Sequence, residues 1–180
     1  MALSKLGANT IVSLTDGTSE AILCNTFFED LAKRVMVQGS WTSTIKRAAL
    51  AQTTNTPTYD YSYEYQLPVG PKCLKVLDID EEVPGTIDYR IEGDKLLTDE
   101  SSINIRYIGY LTTTEDYGVL LTEAIETLLA SYLALPLTGN AQLSQALKQE
   151  YIEILNNNLA VDGQQGEKQT VSITDLIEVR

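Results

Sequence analysis

The sequence contains no histidine, which removes the commonest general base and the commonest metal ligand from the candidate chemistry. Serine or cysteine nucleophiles activated by histidine are excluded for the same reason. The two cysteines, Cys24 and Cys73, lie far apart, so we expect buried hydrophobic residues and no disulfide framework. A glycine-rich phosphate loop and a GxSxG turn are also missing. The sequence therefore predicts no catalytic, cofactor-binding or metal-binding residue.

Basic residues are scarce as well. Lys and Arg number 13 against 25 Asp and Glu, which gives a formal net charge of −12. A surface that binds nucleic acid through its phosphates needs the opposite charge, so we expect no DNA-binding surface. Four basic residues cluster early, at Lys33, Arg34, Lys46 and Arg47, and carboxylates concentrate in residues 77–100. This uneven distribution favours a solvated acidic face, with a surface for an oppositely charged partner as the alternative.

Long apolar runs are missing from the pattern. We find no stretch near the ~18 to 20 apolar residues of a membrane span. The first residues, MALSKLGANTIVSL, lack the apolar core and cleavage site of a signal peptide. We therefore expect a protein made and kept in a cytosol-like compartment, with no membrane partner and with one main domain.

Apolar residues at helical spacing predict three helices. The first covers residues 18–37 and is expected to end at Gly39. The clearest pattern covers residues 115–160, where Pro136 is expected to end one helix and Thr138-Gly139-Asn140 to begin the next. The short connection makes these two helices antiparallel neighbours.

Between the helices the apolar period changes to two, the spacing of a β-strand. The segments expected to form strands are 43–51, 59–67, 72–79, 86–91 and 103–111. We therefore predict an α+β fold over residues 1–162. It is a helical bundle of long antiparallel helices with a small, mostly antiparallel β-sheet inserted over about residues 43–111.

Four tyrosines occupy every second position of one predicted strand, at Tyr59, Tyr61, Tyr63 and Tyr65. Residues two apart share a face of a strand, so these side chains should form one aromatic row. Tyrosine combines a large apolar area with a hydroxyl that can stay in water, which suits a half-exposed sheet face or a subunit interface. Stacking on nucleic-acid bases is the alternative, and the net charge opposes it. Leu67-Pro68 is expected to close the strand.

The acidic run Asp78, Asp80, Glu81, Glu82 is the one candidate for a cation site. Its spacing does not match that of an EF-hand, so a solvated acidic loop is favoured. A carboxylate-dependent hydrolase or nuclease remains as an alternative function.

Residues 163–180 differ in composition from the rest of the chain. GQQGEKQ has the composition of a flexible polar linker, and VSITDLIEVR follows it with apolar residues at alternate positions. The segment is either a frayed terminus or an arm that adds a strand to, or docks onto, a partner. The composition leaves both interpretations open, and we call residues 171–179 the C-terminal arm. Its predicted partner-binding residues are Val171, Ile173, Leu176, Ile177 and Val179.

Five motifs follow one another in a recognisable order. The first helix carries Asn25, and Trp41 follows in GSWTSTIKRAAL. Tyr65-Gln66-Leu67-Pro68 then precedes Cys73-Leu74, and a late helix rich in Leu and Ala runs into Leu135-Pro136-Leu137-Thr138. In this order the motifs resemble those of the bacteriophage head-to-tail adaptor family, the tail tubular protein A type of podoviruses.

The resemblance implies a structural protein of the virion that is not an enzyme. Members of this family form a ring, commonly a dodecamer, between the portal and the tail nozzle or tube, and DNA passes through the centre. A carboxylate-lined lumen would let the duplex slide without binding it. Tail fibres are a further partner to consider, and the C-terminal arm is expected to become ordered against the portal or a neighbouring subunit. Another head- or tail-completion connector protein is the alternative within this class.

Overall fold

The computed structural model describes residues 1–39, 41–80 and 85–165, with side chains as far as residue 158. Over these ranges the chain is mixed α+β, with four α-helices and two antiparallel sheets. The helices are α1 (Ala2–Lys5), α2 (Ser19–Gln38), α3 (Val119–Thr138) and α4 (Ala141–Gln165). The strands are β1 (Ile45–Ala49), β2 (Ala51–Gln52), β3 (Tyr63–Gln66), β4 (Cys73–Ile79), β5 (Tyr89–Glu92), β6 (Lys95–Thr98) and β7 (Asn104–Gly109).

The first predicted helix is confirmed as α2. Thr18 caps its start, because the Oγ1 atom accepts a hydrogen bond from the Ala21 N–H at 3.2 Å. Glu20 in the first turn suits the positive end of the helix dipole. The helix ends at Gly39, whose N–H donates to the Val35 carbonyl at 3.2 Å. One face of α2 is buried and consists of Ala21, Cys24, Leu31, Ala32, Val35 and Met36.

The two later helices are present, but two of their predicted boundaries are wrong. Residues 114–116 form a 3-10 turn, and α3 begins only at Val119. Pro136 does not end α3, which continues to Thr138. So close to the end of a helix, proline removes only one late hydrogen bond. The end is made instead by Gly139, which has a φ of 67° and donates its N–H to the Leu135 carbonyl at 2.9 Å.

Helix α3 lies at the centre of the helical part and packs against α1, α2 and α4. It is also the one helix in the described residues that is long and apolar enough to cross a membrane, with a mean hydropathy of 1.4. The expectation that the chain has no such run is therefore wrong. Because 56% of this helix window is buried inside the domain, its apolar character is accounted for by core packing.

Two sheets take the place of the single predicted sheet. Sheet A has the strand order β1-β7-β4, and sheet B has the order β2-β3-β6-β5. Strand β6 was not predicted, because Lys95–Thr98 is short and its apolar residues do not alternate. Both sheets contribute to a second apolar core, made of Tyr65, Leu67, Ile79, Leu96, Ile103, Ile105 and Tyr107.

Trp41 lies at the junction between the helices and the sheets. Its indole N–H donates to the Val35 carbonyl at 2.7 Å, and the side chain is 3% exposed. It belongs to the helical core together with Ile108 of β7 and Leu111. The Thr44 hydroxyl donates to the Trp41 carbonyl at 2.8 Å, just before β1 begins. Trp41 therefore ties the end of α2 to the start of the sheets.

We predict that Gly39→Ala lowers the free energy of unfolding by about 1 to 3 kcal/mol, the usual cost of overpacking a core. The added Cβ would overlap the indole ring of Trp41. Gly17→Ala is the control, since nothing lies within 4 Å of a Cβ at that position. Urea unfolding measures the stability of both variants. Equal unfolding midpoints for the two variants would contradict close packing of the Trp41 indole against Gly39.

Tyr151 gives a second prediction, on pH dependence. Its hydroxyl donates to Gln38 Oε1 at 2.7 Å, and burial raises the pKa of Tyr151 to about 12. Folding therefore favours the protonated hydroxyl. This contribution to stability is present below pH 10, the ordinary tyrosine pKa, and is lost as the pH rises through 12. We expect Tyr151→Phe to flatten the fall in stability between pH 10 and 12 in urea unfolding. Tyr59→Phe, at an exposed position, is the control, and an unchanged slope for Tyr151→Phe would contradict this role.

Candidate interaction site

The two cysteines are free thiols. Cys24 is buried, as expected, and Cys73 is half-buried. Burial is the main cause that raises the pKa of each thiol above its ordinary value, so both are held in the protonated, less reactive form. Neither thiol has the environment of an activated nucleophile.

The acidic residues considered for cation binding are engaged by side chains of β7. Asp78 Oδ2 accepts a hydrogen bond from Arg106 Nε at 2.8 Å and forms an ion pair with the same guanidinium. Asp80 Oδ2 accepts from Asn104 Nδ2 at 3.2 Å. Glu81-Glu82 lies outside the described residues. Within the described ranges, no group of three His, Cys, Asp or Glu residues is placed to hold a metal ion.

The tyrosines predicted to form one row are divided between a loop and a strand. Strand β3 begins only at Tyr63, so the predicted strand 59–67 is wrong over its first half. Asp60 has a φ of 70°, which turns the chain out of the extended conformation. The Ser62 N–H and hydroxyl both donate to Asp99 Oδ1, at 2.8 and 2.7 Å. These contacts fix the loop and interrupt the row.

The four tyrosines consequently have different environments. Tyr65 is 1% exposed, and its hydroxyl donates to the Glu100 carbonyl at 2.8 Å. Tyr63 is partly buried and packs against the core between the sheets. Tyr61 is partly buried in the loop, and Tyr59 is 74% exposed. The structure therefore brings Tyr63 and Tyr65 together in the sheet and leaves Tyr59 as the exposed member. The role of these tyrosines in subunit contact stays a prediction.

The early basic residues do not form one cluster. Lys33 Nζ donates to Glu29 at 2.6 Å and lies 5.1 Å from the ring centre of Tyr110. The hydrogen bond from Lys33 is the main cause that holds the pKa of Glu29 below its ordinary value. Arg34 donates to a tyrosine hydroxyl of α3 at 2.9 Å. Lys46-Arg47 lies on β1, so the four charges are shared between the helices and sheet A.

A cavity of about 430 Å³ lies on sheet A, where all three strands meet. Arg47 of β1 is directly opposite Arg106 of β7, and Asp78 of β4 is opposite Arg106 on the other side. Arg47 has no ion-pair partner among the described residues. Because Asp78 and Asp80 also line the cavity, its mixed charge suits a polar protein segment better than a phosphate backbone.

A first exposed apolar surface lies in the loop before α2. Val12 is 99% exposed. Asp16 Oδ2 accepts hydrogen bonds from the N–H groups of Val12 and Ser13, at 3.0 and 3.1 Å, so the loop is held in shape. A cavity of about 240 Å³ lies nearby and is lined largely by apolar residues that include Leu3, Ile11, Leu14 and Leu129. Nothing in the spacing of these residues along the sequence predicted this surface.

A second exposed apolar surface lies at the edge of sheet B. All residues of β5 are exposed, and Tyr89 and Ile91 are 39% and 42% exposed. Their partners on β6 are Thr98 and Leu96, which are both buried. Cross-strand partners share a face of a sheet. Tyr89 and Ile91 therefore extend the inner face of sheet B beyond the part that sheet A covers.

Single exposed apolar residues also occur on the helices. Scattered residues of this kind are common on any protein surface, so they do not define an interface by themselves. They are Ile22, Val119, Leu120, Leu135 and Ile152.

The predicted partner-binding residues of the C-terminal arm lie outside the described residues. They are Val171, Ile173, Leu176, Ile177 and Val179. Helix α4 continues to Gln165, past the predicted domain boundary at residue 162. The role of the C-terminal arm in binding therefore stays a prediction.

We predict that Tyr65→Ala lowers the free energy of unfolding by about 3 to 5 kcal/mol, because it opens a cavity between the sheets. Tyr59→Ala is the matched control at an exposed position and should change it by less than about 0.5 kcal/mol. Urea unfolding of both variants measures the difference. Similar losses for the two tyrosines would contradict their division between core and surface.

A scan against protein-family models found no match to the chain, and a search of curated protein sequences found none either. The function is therefore inferred from the residues, the fold and the exposed surfaces.

Proposed function

We propose that the chain is a structural protein of a bacteriophage virion, a head-to-tail adaptor that forms a ring between the portal and the tail nozzle or tube. The resemblance of its ordered motifs to that family supports the proposal. Those motifs also occupy positions on which the fold depends. Trp41 lies at the helix and sheet junction, Tyr65 and Leu67 lie in the core between the sheets, and Leu135 accepts the closing hydrogen bond of α3. This agreement between motif and position is the observation that carries the proposal.

In the proposed arrangement α2, α3 and α4 form the helical bundle of the adaptor, and sheets A and B are the insertion. Helix α2 packs on α3, and α3 packs on α4. All seven strands lie between α2 and α3 along the chain. The C-terminal arm then extends beyond α4 as the element that joins a partner.

An adaptor ring needs several separate contact surfaces, because each copy meets two neighbours of its own kind as well as the portal and the tail. The exposed apolar surfaces support this requirement, since they occur at two separate places, the loop of Val12 and the edge of β5. Each surface is small for a stable pairwise interface. A closed ring engages all of them together, which raises the effective concentration of each contact.

The charge of the chain fits the passage of DNA. A net charge of −12 per copy disfavours binding of phosphates, so the duplex would move through the ring without specific contacts. The proposed location is the connector region of the virion, after synthesis in the host cytoplasm. The portal and the tail nozzle or tube are the proposed partners, and tail fibres are a further one.

The C-terminal arm is proposed to act in many copies at once. Burying an apolar side chain contributes about 1.5 to 3 kcal/mol, and ordering a residue costs about 1 to 2 kcal/mol. With four or five apolar side chains among about ten residues, one arm therefore gains little alone. Arms engaged around a ring can hold a joint that a single copy cannot hold.

We predict that deletion of residues 168–180 leaves a folded protein that does not join the portal. The described core ends before this segment, so the circular dichroism spectrum and the unfolding midpoint should stay unchanged. Negative-stain imaging and co-sedimentation with portal rings measure joining. Ser172→Ala with Thr174→Ala is the matched control, because it keeps the apolar alternation and should join normally.

Normal assembly after the deletion would contradict the proposed role of the C-terminal arm. Failure of the full-length chain to bind portal rings would contradict the adaptor function itself. Metal-dependent DNA cleavage that is lost in Asp78→Asn would favour the nuclease alternative.

A further inference from the structure

The outer edge of β5 pairs with no strand in the part of the chain that the structure describes. Strand β5 is the last strand of sheet B and pairs only with β6. In an antiparallel pair every second residue directs its N–H and C=O groups away from the partner strand. No backbone hydrogen bond from Tyr89–Glu92 to any described residue outside β6 occurs. This edge can therefore accept one more strand.

The other sheet edges are less suitable for strand addition. Strand β4 has irregular register at Cys73/Lys75 and at Val76/Asp78, and bulges of this kind disrupt the pairing of a further strand. Strand β1 carries Lys46-Arg47, as β5 carries Arg90 and Glu92, but it has no exposed large apolar residue that an added strand would cover. Strand β2 has only two residues. Strand β5 is regular along its length and carries the exposed apolar residues Tyr89 and Ile91, which makes its edge the most suitable of the four.

The side chains of β5 indicate what an added strand should carry. Tyr89 and Ile91 lie on the same face as the buried residues Thr98 and Leu96. A strand with apolar residues at every second position would cover Tyr89 and Ile91 and extend the core between the sheets. The opposite face carries Arg90, which has no ion-pair partner among the described residues.

We propose that the C-terminal arm of one copy adds an antiparallel strand to the edge of β5 in a second copy. The inference rests on the proposed ring for its biological setting and names the contact that joins neighbouring copies. One register matches both apolar residues and the basic residue of β5, and it leaves Leu176 opposite Glu92. It places Ile177 opposite Ile91, Val179 opposite Tyr89, and Glu178 opposite Arg90.

The same register also accounts for Asp175, which interrupts the apolar alternation of the C-terminal arm. In this register Asp175 lies beyond Glu92, beside the turn at Gly93, and faces no apolar residue of β5. The charge of Glu178 complements that of Arg90. The apolar alternation of the arm, the pairing of Glu178 with Arg90 and the position of Asp175 therefore favour the same register.

The position of β5 in the fold favours a second copy as the acceptor. Ile108 of sheet A belongs to the helical core, and other residues of sheet A share the second core with sheet B. Sheet A therefore lies between the helices and sheet B. In the proposed register pairing begins at Leu176, so ten residues, 166–175, separate the end of α4 from the paired strand and span at most about 36 Å. The β5 edge of the same copy belongs to sheet B, which contributes no residue to the helical core, whereas a neighbour in a ring can present its own β5 edge directly to the arm.

The test is a charge exchange in the full-length chain, with self-association measured by sedimentation velocity. We expect Arg90→Glu and Glu178→Arg each to weaken self-association about threefold, because each places like charges opposite one another. The double variant should recover the wild-type value, since it restores an opposite pair. Ile177→Asp should weaken association at least about tenfold. Leu77→Asp, at an exposed position of β4, is the matched control and should have no effect.

Single variants without effect, or a double variant without recovery, would overturn the proposal. A second measurement separates exchange between copies from pairing within one copy. Chains that carry Ile91→Cys are mixed with chains that carry Ile177→Cys, and oxidation should give a mixed disulfide dimer. A disulfide formed only within a chain that carries both substitutions would overturn the exchange between copies. Strand exchange without binding to portal rings would contradict the adaptor function alone.

Discussion

The bond from the Trp41 indole N–H to the Val35 carbonyl is the constraint on which the rest of the structure depends. The same carbonyl also accepts the Gly39 N–H, so the last turn of α2 is satisfied by the residues that lead into the sheets. The absence of a side chain at Gly39 leaves room for the indole ring. Ile108 then packs in the same core and holds β7 against the helices. Helices and sheets are in this way fixed to each other.

This junction determines which surfaces stay open. Sheet A packs against the helices and shares the second core with sheet B, and the edge of sheet B at Tyr89 and Ile91 is exposed. The loop of Val12 is held in shape by Asp16 on another part of the molecule. A chain with apolar residues exposed at several separate places suits repeated assembly with other copies. The proposed adaptor ring would use these places together.

The sequence predicted the elements that depend on local signals and missed those that depend on distant contacts. Helix α2 was predicted because its apolar spacing and its stop at Gly39 are local features. The prediction of a single tyrosine row was wrong because Asp99, which is distant in sequence, accepts a hydrogen bond from the Ser62 N–H and holds this part of the chain in a loop. The acidic run gave no sign that Asp78 would pair with Arg106. Exposure of an edge strand such as β5 depends on sheet order, which the alternation of residues does not specify.

In the proposed ring, apolar surface left open by this fold is covered by other copies and by the portal. Sedimentation velocity of the full-length chain, alone over a range of concentrations and mixed with portal rings, tests it most directly. If the proposed ring forms, species larger than a monomer will appear at high concentration and the chain will co-sediment with the portal. A chain that stays monomeric at every concentration and never sediments with the portal would contradict it.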